Sequence, residues 1–124
     1  MNIQNLHHVQ ITIPVGQEEA GREFYCGLLG LAEVDKPSSL QSRGGFWLQV
    51  GDLQVHVGVE EGVHRTQTKA HVAYLVDDLV AWRERLKSMG VEVLDNQPPI
   101  PGYRRFEFRD PFGNRVELLE GRED

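Results

Sequence analysis

A single cysteine, Cys26, stands in the 124-residue chain. One thiol cannot close an internal disulfide, so the small secreted scaffold stapled by bridges is excluded and a reducing cytoplasm is the expected compartment. The chain also lacks any apolar run near the roughly 18 residues that a membrane span requires. Its first residues alternate like a strand, where a secretory leader would show a basic stretch and then an apolar core. Basic runs are missing as well. With 13 Lys and Arg against 19 Asp and Glu, the net charge is −6, which argues against nucleic acid or an anionic membrane as partner. That leaves a small-molecule substrate, or another copy of the chain in a homodimer. A hydrophobic content of 40% with 26% charged residues describes a soluble globular domain, long enough to bury roughly two thirds of its unfolded surface unaided.

What is present is an ordered repeat. Residues 6–13 alternate, with Val9, Ile11 and Ile13 on one face and His8, Gln10 and Thr12 on the other. Residues 17–29 space Ala20, Phe24 and Leu28 at helical intervals, and Gly30 is placed to stop that helix. Strand-like runs follow at 31–36, 45–50 and 52–59, broken by the turn-rich PSSLQSRGG. Then the order restarts. A strand over 70–76 leads to Asp77 or Asp78 as helix cap, with Leu79, Trp82, Leu86 and Met89 on one stripe and Gly90 at the end. VEVLD, YRRFEFR and RVELLE read as three more strands, the last two joined by the turn DPFGN. The halves overlay: GLAEV follows the first helix as GVEVL follows the second, and GFWLQV precedes VHVGVEE as RRFEF precedes RVELLEG. An internal repeat of this kind predicts an α+β fold. We expect one domain over 1–124 made of two βαβββ modules, about 5–62 and 68–121, whose curved mixed sheets carry helices on their outer faces.

Each half places ligand-type side chains in its first and last strands: His8 and His56, then His71 and Glu117. Alternation puts His8, His56 and Glu117 on the face turned away from the helices, whereas His71 has only apolar strand neighbours and parity says nothing about it. Adjacent strand residues face opposite ways, so His7 joins Val9 and Ile11 or caps the strand start. Trp47, alternating against Phe46 and Leu48, falls where it can wall the same cleft. His64, in a turn, has no such company. Three imidazoles and one carboxylate suit one divalent transition metal (Zn, Ni, Co, Fe or Mn) better than Mg or Ca, which prefer more oxygen ligands.

Four stretches, LHHVQITIP, FYCGLLGL, HVAYLVDDLVAWRERLKSMGVEV and DPFGNRVELLE, give the chain a resemblance to the vicinal oxygen chelate superfamily. Its members include glyoxalase I, fosfomycin-resistance thioltransferases, methylmalonyl-CoA epimerase, extradiol dioxygenases and bleomycin-binding proteins. The resemblance runs from Leu6 to Glu120 and implies metal ligands at His8, His71 and Glu117, with His56 at an optional fourth position. Glyoxalase I has glutamate there and the epimerase glutamine, so a histidine disfavours glyoxalase I activity itself. The family's pocket positions on the penultimate strand fall on Arg105 and Glu107, and local alternation puts both beside Glu117. The implied function is a metal-dependent, glyoxalase-like enzyme of lyase, isomerase or thioltransferase type acting on a small oxygen-chelating substrate. Glu107, or Glu117 loosened from the metal, would move the proton, and Arg105 would hold the substrate's negative group. Ring cleavage by a dioxygenase needs three open metal positions, and four protein ligands leave two. The alternative is a non-catalytic protein of the same fold that sequesters a small toxic compound, although binders of the bleomycin type generally lack this ligand set. The site is expected to close within one chain or across a homodimer.

Overall fold

A computed structural model describes residues 1–95 and 97–122. The chain divides into two compact units, Met1–Val63 and the segment from His64 onward. The first contains β1 (His8–Ile13), α1 (Glu18–Arg22), β2 (Ala32–Val34), β3 (Phe46–Val50) and β4 (Leu53–Val59), with a 3-10 segment at Ser38–Arg43. Its sheet runs β1-β4-β3-β2, with β1 parallel to β4 and the other neighbours antiparallel. This is a βαβββ module.

Alternation dictates what each face of this sheet does. Ile13, Phe46, Leu48 and Val57 are essentially sealed from solvent, and Phe24, Tyr25 and Leu28 pack in from the helical side. Gly21 makes the close approach possible. A Cβ there would meet Ile13 Cδ1 at 3.0 Å and the Phe46 ring at 3.1 Å. The helix expected over 17–29 is α-helical only at Glu18–Arg22 and continues as a wider π-helical stretch, Glu23–Leu28. The widening accompanies burial of two consecutive aromatics, Phe24 and Tyr25, whose rings lie 5.1 Å apart at 76°.

The second unit contains β5 (His71–Leu75), α2 (Leu79–Ser88), β6 (Tyr103–Arg109) and β7 (Arg115–Gly121). Its sheet runs β5-β7-β6, with β5 parallel and β6 antiparallel to β7. Asp78, not Asp77, caps α2 by accepting from the Ala81 N–H at 3.0 Å. Leu79 and Leu86 are buried, and the module's sheet contributes Phe106, Phe108, Val116 and Leu118 to its core. Met89, expected on the apolar stripe, is 60% exposed, because it stands at the C-cap where the helix is already unwinding. The strand expected at VEVLD shrinks to one residue. Leu94 exchanges both backbone hydrogen bonds with Glu107, at 2.7 and 3.1 Å. Pro98, Pro99 and Pro101 follow shortly after, and none of them can donate to a ladder. Among the described residues, no helix is long and apolar enough to cross a membrane.

Candidate metal and ligand site

In the first module, β1, β3 and β4 present His8, Trp47 and His56 on the face opposite the buried valines. The His56 ring is sandwiched. Trp47 stacks on it at 3.8 Å with planes 1° apart, and His8 at 4.0 Å with planes 15° apart. Glutamines fix the proton on this ring. Gln49 donates its amide N–H to the carbonyls of Gly51 and Leu53, which turns its Oε1 toward the Gln54 amide at 3.4 Å. Gln54 Oε1 is thereby left to accept from His56 Nε2 at 2.8 Å. Burial, with His8 and His7 beside it, holds the His56 ring below the usual imidazole range. His56 is therefore a neutral imidazole whose Nδ1 carries no proton.

That stack bears on ligation. An imidazole donates in its ring plane, so an ion bound by two imidazoles must lie in both planes. The planes of His8 and His56, nearly parallel and about 4 Å apart, do not meet within the roughly 2.1 Å of a metal–nitrogen bond. As the rings stand, the two cannot serve one ion. Of the two places expected for His7, the structure gives the strand start and not the helix-covered layer. His7 precedes β1, is exposed, and turns its ring against His8 edge-on, with the two Nδ1 atoms 2.9 Å apart. A contact between two ring nitrogens requires a proton on one of them. His7 thus joins the cleft and not the helix-covered layer. The cleft measures about 440 Å³, and its walls include His7, His8, Trp47, His56, Lys36 and Arg43.

In the second module the same face carries charge. Glu107 and Glu117 sit directly opposite each other on β6 and β7, and both are almost fully buried. Arg115 grips Glu107 with two prongs, Nε on Oε2 and Nη2 on Oε1 at 2.5 Å. Burial alone would raise the Glu107 carboxyl. The Arg115 hydrogen bond and charge, with His71 and Arg105 adding theirs, outweigh it and hold the group below the usual carboxylate range. Arg105 is committed too. Its Nε and Nη2 donate to the Pro98 carbonyl at 3.1 and 2.5 Å, and its Nη1 donates to Glu117 Oε1 at 3.3 Å.

His71, on which parity was silent, lies at 3.1 Å from Glu117 Oε1 through Nε2. Its Nδ1 stands 2.8 Å from the Lys69 carbonyl oxygen, which can only accept, so Nδ1 carries the proton. In the neutral ring Nε2 is then a lone pair facing a carboxylate oxygen. Two acceptors at 3.1 Å call for a positive charge between them, either a second ring proton or a cation. A backbone carbonyl that fixes the distal N–H is also the usual outer support of a metal-bound histidine.

Each module thus brings together its own pair, His8 with His56 and His71 with Glu117. Among the described residues, no group of three or more His, Cys, Asp or Glu is arranged to hold a metal ion. Sequence reasoning missed three contributors: Arg115, Lys69 and the Gln49–Gln54 relay. Arg115 and Gln54 could have been found, since each shares strand parity with a candidate ligand two residues on. Lys69 acts through its backbone, which leaves no mark in the sequence.

Residues 5–118 match the Glyoxalase/Bleomycin resistance protein/Dioxygenase superfamily, and the chain belongs to that family. A glyoxalase family protein from Bacillus anthracis is 38% identical to it over 98% of both chains, with a TM-score of 0.89. The fold is shared at lower identity with two further solved proteins. One is the E126Q mutant of the fosfomycin resistance protein FosX from Listeria monocytogenes, solved with Mn(II) and 1S,2S-dihydroxypropylphosphonic acid (20% identity, 98% and 95% coverage, TM-score 0.79). The other is an integron cassette protein from the V. cholerae mobile metagenome (21% identity, 97% of both chains, TM-score 0.69). No curated protein sequence matches the chain.

Proposed function

We propose that His8, His71 and Glu117 hold one divalent transition metal, and that the protein is a metal-dependent enzyme of the lyase, isomerase or transferase type acting on a small oxygen-bearing substrate. The observation that carries this reading is the facing pair of acceptors, His71 Nε2 and Glu117 Oε1, with the ring proton fixed on the far side by Lys69. Family membership supports it, since FosX was solved with Mn(II). A bound divalent ion supplies Lewis-acid stabilisation of negative charge on a substrate oxygen. His56, held flat between Trp47 and His8, then serves as the wall behind His8 and not as a fourth ligand. Glu107 would accept the substrate proton, with Glu117 as the alternative base.

One observation favours a second reading. Glu107 is neutralised by the two-pronged Arg115 contact, and a carboxylate held below its usual range is a weak base. A protein that binds its ligand at the metal without turning it over fits that arrangement. The deciding experiment titrates chelator-treated protein with Mn(II), Zn(II), Ni(II), Co(II) and Fe(II) by calorimetry. The loaded protein is then incubated with α-ketoaldehyde–thiol adducts, acyl-CoA epimers, phosphonates and catechols. One ion per chain and metal-dependent product, slowed by Glu107→Gln, are expected of the enzyme. Binding without product points to the sequestering protein, and a chain that takes up no metal refutes the centre. Mixing His8→Ala with Glu117→Ala protein tests the proposed homodimer: metal uptake returns in the mixture only where the ligands come from two chains.

A further inference from the structure

The cleft of the first module is electropositive in a chain of net charge −6. Two cations, Lys36 and Arg43, and three imidazoles, His7, His8 and His56, line it, and no carboxylate does. The cations are brought to one rim by the chain's own path. Lys36 enters the 3-10 segment Ser38–Arg43, and its Nζ reaches across to donate to the Gly44 carbonyl at 2.6 Å, one residue beyond Arg43. The ammonium is thereby tied down beside Arg43 with two of its three N–H donors to spare. Glu18, whose carboxylate reaches this turn, accepts from the Gly45 N–H at 3.3 Å and does not line the cleft. Gly45 itself holds the corner. Its φ is +78°, and a Cβ there would lie 2.1 Å from the Val57 carbonyl oxygen.

Arg43 is exposed and has no hydrogen bond or ion pair among the described residues. Arg105 differs: its donors go to Pro98 and Glu117. Of the two arginines, Arg43 has its planar fork open for a two-pronged contact with an oxyanion. Apart from Gln10, the remaining side chains of the lining are apolar: Trp47, Leu40, Val57 and Val59. A volume of about 440 Å³ falls near the small end of the roughly 300–1,000 Å³ of small-molecule sites.

We infer that this cleft binds a small organic anion, its phosphonate, phosphate or carboxylate group on Arg43 and Lys36 and its flat or apolar body against Trp47. The inference rests on the metal-centre reading only for calling the occupant a substrate. The test therefore uses metal-free protein, where failure of the metal centre has no bearing. Chelator-treated protein is titrated by calorimetry with phenylphosphonate, with inorganic phosphate and with benzyl alcohol. Phenylphosphonate is expected to saturate one site per chain and to bind at least about tenfold tighter than either fragment, the alcohol lacking the charge and the phosphate lacking the body. Arg43→Ala should weaken phenylphosphonate about tenfold or more and Arg43→Lys less. Arg104→Ala, which removes the same charge from an exposed site on β6, should leave binding unchanged. Raising salt from 50 to 500 mM should weaken the wild-type complex. Equal binding of benzyl alcohol and phenylphosphonate overturns the inference, as does phosphate binding as tightly as phenylphosphonate. Arg43→Ala protein that matches Arg104→Ala overturns it too, provided both keep the wild-type circular dichroism.

Discussion

The two modules fill one cross-strand position in opposite ways. In the first, Trp47 stands opposite His56 and the two rings stack; in the second, Glu107 stands opposite Glu117. The residue two places before each last-strand member steadies the pair: Gln54 holds the His56 ring, and Arg115 grips Glu107. The neutral stack needs no counter-charge and lines a cleft whose rim is positive. Two buried carboxylates facing each other repel unless cations intervene. Arg115 and Arg105 balance the two carboxylate charges, and His71 Nε2 faces Glu117 Oε1 at 3.1 Å beside them. One scaffold, repeated, has thus become a neutral, cation-rimmed face in one copy and a buried, ion-paired face in the other.

The most direct way to break this comparison is to remove the facing pair of His71 and Glu117. Glu117→Ala or His71→Ala should abolish stoichiometric metal uptake by chelator-treated protein, a loss larger than the roughly 10–100-fold that follows from removing an outer support. His56→Ala should keep the one-to-one stoichiometry, because its ring cannot share an ion with His8 as the two are stacked. Metal analysis after gel filtration reads both. Loss of metal from the His56 variant would restore that residue to the ligand set.

Next in size is the ion pair that steadies the second face. Glu107 is 1% exposed, so Arg115→Ala leaves a buried carboxylate without its main partner. Breaking such a pair costs about 3 kcal/mol, read as a fall in the urea midpoint at unchanged slope. The double variant Arg115→Met, Glu107→Gln should recover much of the loss, since the charge and its partner go together. Gln54→Ala, the equivalent change in the first module, should cost about 1 kcal/mol, because it strips only a neutral hydrogen bond from His56. Equal losses at the two positions would refute the contrast.

Much of this was legible in the residues. The repeat fixed the order of elements, and alternation assigned His8, His56, Glu107 and Glu117 to their faces because a strand's period of two leaves little freedom once one side is apolar. The second strand expected in the second module shrinks to a single bridge, since VEVLD has the composition of a strand while the prolines beyond it stop the ladder. Alternation gives the face of Arg105, as of any long side chain, and not where its tip ends. Its guanidinium reaches the Pro98 carbonyl, a contact set by loop geometry. The seating of the His7 ring against His8 lies beyond parity for a related reason. Strand parity does not extend to the residue before the first ladder partner.

That seating leads to a smaller effect. For His8 to offer Nε2 to a metal, its Nδ1 must hold the proton, and the His7 Nδ1 at 2.9 Å is there to accept it. His7→Ala should weaken metal binding about tenfold to a hundredfold without changing stoichiometry. His7→Gln, whose amide oxygen can accept the same proton, should recover part of it. In the second module the Lys69 carbonyl does this job through the backbone, so no side-chain substitution at Lys69 should have a comparable effect. Calorimetric titration of the three variants sharpens the comparison: one histidine is supported by a side chain and its counterpart by the main chain.

The smallest effect lies in the cores. Tyr74 stands to His71 as Ile11 stands to His8, three residues along the first strand of its module. Ile11 brings no polar atom to that place. Tyr74 brings a buried hydroxyl that, alone among the buried side-chain nitrogens and oxygens described, has no hydrogen-bond partner. Burial, with Asp110 nearby, pushes its phenol from 10.0 up to about 12. The folded state therefore keeps the phenolic proton at pH values where the unfolded chain has released it. Stability from this source is present below pH 10 and is lost progressively as pH rises from 10 toward 12. Tyr74→Phe removes both the unpaired hydroxyl and the titration. At pH 7 the variant should match or exceed wild-type stability within about 1 kcal/mol, and at pH 11 its advantage should widen. Urea midpoints at the two pH values measure the difference. A Phe variant markedly less stable at pH 7 would mean that the hydroxyl is satisfied after all, by a buried water bridging toward Asp110.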